Sequence, residues 1–171
     1  MIRVTPARPF SLAILVALAG CSGGGSTNGT GGNFVVLKTE PVDNATLFLN
    51  DAIQIDFSNP VDLDSVDLTT FSFEVRNQLG LVVAEPVAGT FEIGTSPGDA
   101  VAGRRLRFVP RLPTNDLFTN GGFRPGRTYT VQLVGGSQVN VTTMLDTGGK
   151  PLALPKSFRF STADGTTPAQ L

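Results

Sequence analysis

Between residues 34 and 162, apolar side chains recur at every second position in short runs, and Gly, Pro, Asn and Asp separate the runs. Successive side chains of a strand point to opposite faces, so a period of two marks chain that buries one face. A helix needs apolar positions three and four apart, and no window sustains that spacing. The runs are 34–38 (FVVLK), 52–57 (AIQIDF), 71–76 (FSFEVR), 104–109 (RRLRFV), 127–134 (RTYTVQLV) and 157–162 (SFRFST). Residues 81–93 (LVVAEPVAGTFEI) read as two short strands broken near Pro86, because proline has no N–H for a central ladder. The predicted inward positions are Ile53, Ile55 and Phe57, then Phe71, Phe73 and Val75, then Leu106 and Phe108. They continue with Tyr129, Val131 and Leu133, and end with Phe158 and Phe160.

Seven or eight strands over this length predict an all-β fold, an Ig-like Greek-key β-sandwich of seven to eight antiparallel strands. No internal repeat suggests a solenoid or propeller. The chain has one Cys, so no intrachain disulfide holds the fold. Its 171 residues suffice for one domain with a real hydrophobic core.

The first residues read as an address. Arg3 and Arg8 precede a nine-residue, mostly apolar stretch at 10–18 (FSLAILVAL). A membrane span takes roughly 20 residues, so this stretch suits a signal peptide instead. Leu18-Ala19-Gly20-Cys21 follows at once and resembles the lipobox of bacterial lipoproteins. The resemblance implies cleavage before Cys21, lipid on that residue, and anchoring to a membrane. Ser22 after the Cys resembles the pattern sent to the outer membrane. Residues 22–33 (SGGGSTNGTGGN) cannot build a core and read as a flexible tether. The expected organisation is signal peptide 1–20, lipidated Cys and tether 21–33, sandwich 34–163 and polar tail 164–171.

Glu40-Pro41 with Asp43-Asn44-Ala45 opens a second set of likenesses. Ile53-Gln54-Ile55-Asp56-Phe57-Ser58-Asn59-Pro60-Val61-Asp62 follows, then Phe108-Val109-Pro110 and Pro125-Gly126-Arg127-Thr128-Tyr129. Asp146-Thr147-Gly148-Gly149-Lys150-Pro151-Leu152 and Phe158-Arg159-Phe160-Ser161-Thr162 close the set. In this order they resemble the S-layer-type bacterial Ig-like domain (Big family). Lys150 stands where that family usually has Asn. The resemblance implies a β-sandwich in the bacterial cell envelope.

Chemistry is sparse. The chain has no His, which removes the commonest general base and the His-dependent nucleophile pairs. A net charge of −1 gives no drive toward nucleic acid. No Gly-rich stretch reads as a phosphate loop, because none links a strand to a helix. No enzyme, cofactor, metal or small-molecule substrate is expected. Asp62, Asp64 and Asp67 have oxygens at a spacing that suits either Ca²⁺ or solvated turns. Tyr129, the single Tyr, follows Pro-Gly at the start of a late strand and reads as a tyrosine corner.

Charge is split along the chain. Residues 34–99 hold two positive and eleven negative residues, and 100–171 hold nine and three. Early and late strands mix in a sandwich, so the two signs either pair across strands or leave a basic patch. Arg104, Arg105, Arg107 and Arg111 are the candidates for such a patch. Residues 111–126 carry Leu117, Phe118 and Phe123 among Asn, Gly, Thr and Pro. Such side chains either tuck into the core edge or meet a partner. The functional expectation is a lipid-anchored envelope protein with a structural or protein-binding role and no catalysis. It would bind the membrane through lipid on Cys21 and an envelope protein through Leu117, Phe118 and Phe123. The alternative is an adhesin-like or accessory module that binds an envelope polymer or polysaccharide.

Overall fold

Eight strands form two four-stranded sheets in the computed structural model, which describes residues 32–95, 98, 101–136 and 141–164. They are β1 (Val36–Glu40), β2 (Ala45–Leu47), β3 (Ile53–Phe57), β4 (Phe71–Arg76), β5 (Gly89–Gly94), β6 (Arg105–Pro110), β7 (Thr128–Leu133) and β8 (Lys156–Thr162). One sheet has the order β1-β3-β6-β5 and the other β2-β8-β7-β4. Lettered as in an Ig domain, these are A-B-E-D facing C-F-G, with the first strand divided between the sheets. The predicted all-β sandwich is thus the observed fold, with one correction. β2 pairs parallel to β8, so the strands are not all antiparallel.

A turn causes that division. After β1, residues 41–44 swing the chain across, with Asn44 in the left-handed region at φ 64°. Asn accepts that conformation more readily than most residues. The turn docks on β8: Asn44 donates its N–H to the Arg159 carbonyl at 2.7 Å, and Arg159 donates its own to Asp43 Oδ1 at 2.8 Å. Strand β2 has three residues, too few to display a period, and the alternation did not predict it. The opposite error falls at 81–85, which contributes an isolated bridge between Val82 and Arg76 rather than a strand.

The period-two faces meet as predicted. Ile53, Ile55 and Phe57 of β3 are fully buried, as are Leu106 and Phe108 of β6 and Tyr129, Val131 and Leu133 of β7. Phe73 is partly buried against this core. Rings stitch the layers together. Phe71 lies 5.1 Å from Phe91, and Phe108 lies 5.2 Å from Phe91 and 6.0 Å from Phe123. Phe123 is 5.0 Å from Tyr129, which stacks on Phe160 at 5.1 Å and 13°. Each buried Phe contributes about 1.5–3 kcal/mol by leaving water.

The connections gather at two ends. At one end Phe34, where the described chain begins its sandwich, meets 58–70, 134–136 and 141–153. Ala153 donates to the Phe34 carbonyl at 2.8 Å, and Val134 to that of Thr70 at 2.9 Å. At the other end 77–88 packs on 111–127. Arg111 donates its N–H to the Ala88 carbonyl at 2.9 Å, and Arg127 clasps Glu85 through two bonds of 2.8 Å. Gly122 sits in that junction. A Cβ there would stand 2.1 Å from the Ala88 carbonyl oxygen, so the chains approach this closely only because the residue is glycine.

Candidate functional site

Cys21 lies outside the described residues. Among the described residues no helix is long and apolar enough to cross a membrane.

The arginines do not make a free basic patch. On the outer face of the first sheet, strand register sets two rows of side chains. One row reads Lys38, Asp56, Arg105, and the other Glu40, Gln54, Arg107, Glu92. Arg105 grips Asp56 with bonds of 2.6 and 2.8 Å and reaches Gln54 Oε1 at 3.1 Å. Arg107 donates to Glu92. Arg111 spends its guanidinium on the Asn120 carbonyl, at 2.6 and 3.1 Å. Arg104 is half-buried and is not free either. The acidic early strands and basic late strands therefore pair across strands. The Asp56 bond first, with its charge adding, holds the Arg105 guanidinium above its usual range against the opposing effect of burial.

The loop 111–126 divides its three apolar candidates. Phe123 is fully buried between Phe108, Tyr129 and Phe160, so it is core and cannot meet a partner. Phe118 is half-buried against the core with its backbone in the left-handed region at φ 52°. That conformation costs a bulky residue of order 1 kcal/mol. The loop over-determines it: Asn115 accepts from Thr119 N at 2.9 Å, and Asn120 ties to Thr114 at 2.7 and 2.9 Å. Leu117, at 74% exposed, is the side chain of the three that the loop offers to solvent. Leu79 and Leu81 are exposed on 77–88 at the same end of the sandwich.

The three aspartates are turn residues. Asp62 accepts from Asp64 N at 3.2 Å and caps the 3-10 turn Leu63–Ser65. Asp67 accepts from the hydroxyl of Thr69 at 2.6 Å and from the N–H groups of Thr69 and Thr70. These bonds, the Thr69 hydroxyl first, hold its carboxyl below the usual range. Among the described residues, no three His, Cys, Asp or Glu side chains gather closely enough to hold a metal ion.

Tyr129 is a tyrosine corner. Its hydroxyl accepts the Arg124 N–H at 2.7 Å, five residues upstream. Burial pushes its phenol up to about 12, so it stays protonated and structural.

One surface feature escaped the sequence. A hollow of about 430 Å³ opens on the outer face of the first sheet, near the β2–β3 turn. Glu40, Gln54 and Arg107 come from three adjacent strands, and Asn50 and Asp51 from the turn above them. Pro41 and Val109 supply apolar surface. These residues are scattered over 70 positions and share no motif, so only strand register assembles them.

No family model matches this chain, and no curated protein does. Solved structures similar to it include PcoC, a methionine-rich copper resistance protein from Escherichia coli. The identity is 13% and the TM-score 0.46, over 77% of this chain and 99% of that one. CopC from Methylosinus trichosporium OB3b is similar at 13% identity and a TM-score of 0.40, over 77% and 94%. At such identities each is a likeness of fold. This chain itself contains two Met and no His.

Proposed function

We propose that this protein is a lipid-anchored component of the bacterial cell envelope, built on an S-layer-type Ig-like domain. Its role is structural or protein-binding, without catalysis. It is held to a membrane, in a two-membrane bacterium the outer one, through lipid on Cys21. The observation that carries the reading is the division of the sandwich into two ends. The chain from the tether joins at Phe34, beside 58–70, 134–136 and 141–153. The opposite end presents Leu79, Leu81 and Leu117 to solvent. A module tethered at one end has its far loops available to a partner in the envelope. The chemistry agrees, because the best-defined polar groups are committed to structure. The Tyr129 hydroxyl holds a backbone group, Asp146 holds a turn, and Arg105 holds Asp56.

The test compares the full chain with Cys21→Ala and Leu117→Ser variants. Cys21→Ala should move from the membrane to the soluble fraction, and retention there would overturn the anchor. A specific envelope protein captured by the full chain should be lost from the Leu117→Ser bait. Capture unchanged by that substitution would place the contact off the 111–126 loop.

A further inference from the structure

The hollow beside the β2–β3 turn has a chemical character that selects its ligand. Its side chains are only partly spent. Gln54 gives Oε1 to Arg105 at 3.1 Å, which leaves its Nε2 to donate. Asp51 takes the Phe48 N–H on Oδ2 at 2.9 Å and keeps Oδ1. Glu40 takes Lys38 on Oε1 and keeps Oε2. Arg107 gives one guanidinium nitrogen to Glu92 and keeps the other donors. Asn50 is exposed with its amide uncommitted among the described residues.

Donors and acceptors thus converge on one depression with both signs of charge. A phosphate or carboxylate would face Glu40 and Asp51. A cation would face Arg107. A hydroxyl donates and accepts at once, so a neutral polyol satisfies every group without meeting a like charge. The carboxylates and the guanidinium also strengthen such bonds, since hydrogen bonds to charged partners exceed neutral ones. Pro41 and Val109 offer apolar surface to the C–H face of a ring. The lining is mostly polar with a small apolar share, which suits a hydroxyl-rich ligand rather than an apolar one.

We propose that this hollow binds a neutral saccharide unit, as a residue of an envelope glycan. None of its lining residues belongs to the 111–126 loop, so it and the protein contact proposed there are tested by separate substitutions.

The test is amide chemical-shift mapping on the isotope-labelled full chain in a sugar-free detergent. The probes are neutral tetrasaccharides of glucose, N-acetylglucosamine, mannose and galactose, with a sulfated heparin tetrasaccharide as the anionic control. At least one neutral probe should shift the amides of Asn50, Asp51, Gln54 and Arg107, with a Kd on the order of 1 mM, common for a shallow site. Asn50→Ala/Gln54→Ala should weaken this about tenfold, a loss of about 1.4 kcal/mol. Leu117→Ser should leave it unchanged. Glu40→Gln keeps a hydrogen-bonding group but drops the charge that strengthens it, so it should weaken a neutral ligand, by less than the tenfold step of the double variant. Shifts elsewhere in each spectrum report whether the variant is folded. The proposal is overturned if no neutral probe shifts these amides up to about 10 mM. It is equally overturned if heparin alone does so, or if the double variant binds as well as the parent.

Discussion

Tyr129 shows how one side chain sets the use of a whole segment. Its ring is stacked on Phe160 and its hydroxyl takes the Arg124 N–H at 2.7 Å. That bond fixes where the 111–126 loop rejoins the sandwich, just before β7. Thr162 helps, since its hydroxyl donates to the Arg124 carbonyl at 2.6 Å. Tyr129→Phe keeps the ring and removes the acceptor, so the Arg124 N–H loses its partner. The expected cost is about 1–2 kcal/mol. Urea unfolding of the variant checks it, and an unchanged midpoint would show that the bond is idle. Phe123 teaches the converse at the same scale. In the sequence it sits among Gly, Asn and Arg like a surface contact. Its burial is decided by the space that Phe108, Tyr129 and Phe160 leave between them.

Strand pairing decides what the charges do. Asp56 and Arg105 are 49 positions apart, yet they stand directly opposite on β3 and β6. Both side chains are mostly buried, and the contact is two-pronged. Opposite charges so placed contribute about 0.2–1 kcal/mol. A double-mutant cycle with Asp56→Ala, Arg105→Ala and the pair should return a coupling of about that size, toward the upper end because the fork is bidentate. Additive single effects would mean that the ladder contributes register and solubility but no stability. The same element-scale logic explains β2. Three residues hold no period, so the strand exists because the turn at 41–44 delivers them beside β8.

At the scale of the molecule, the loops at both ends are tied by carboxylates that must stay ionised. Asp146 is buried, which would raise its pKa. The bonds from Asn59 at 2.6 Å, Lys150 N at 2.8 Å and Gly148 N at 3.0 Å outweigh that and hold it below the usual range. Glu85 is lowered chiefly by its bond from Arg127, against the opposing effect of burial. For such groups the folded pKa lies below the unfolded one. Their stabilisation is complete above the unfolded values of about 3.9 and 4.3, and it is lost as pH falls through the folded ones. With no His to titrate, the unfolding midpoint should be level from about pH 5 to about pH 8 and should fall below about pH 4. Asp146→Asn should flatten part of that fall. A midpoint that holds down to about pH 3 would refute the role given to these carboxylates.

What the sequence determines by itself is whatever local spacing encodes. Alternation placed β3, β4, β6, β7 and β8 and turned their apolar faces inward, because side-chain direction along a strand depends on nothing beyond the backbone. The Pro-Gly before Tyr129 marked the corner for the same local reason. What the tertiary structure decided is every property that depends on which strands become neighbours. It converted a basic stretch into a ladder of ion pairs, drew Phe123 into the core and left Leu117 outside. It also assembled a hollow from Glu40, Gln54 and Arg107, which no spacing connects. Register across a sheet is a contact between distant residues, and its energy appears only when the strands pair.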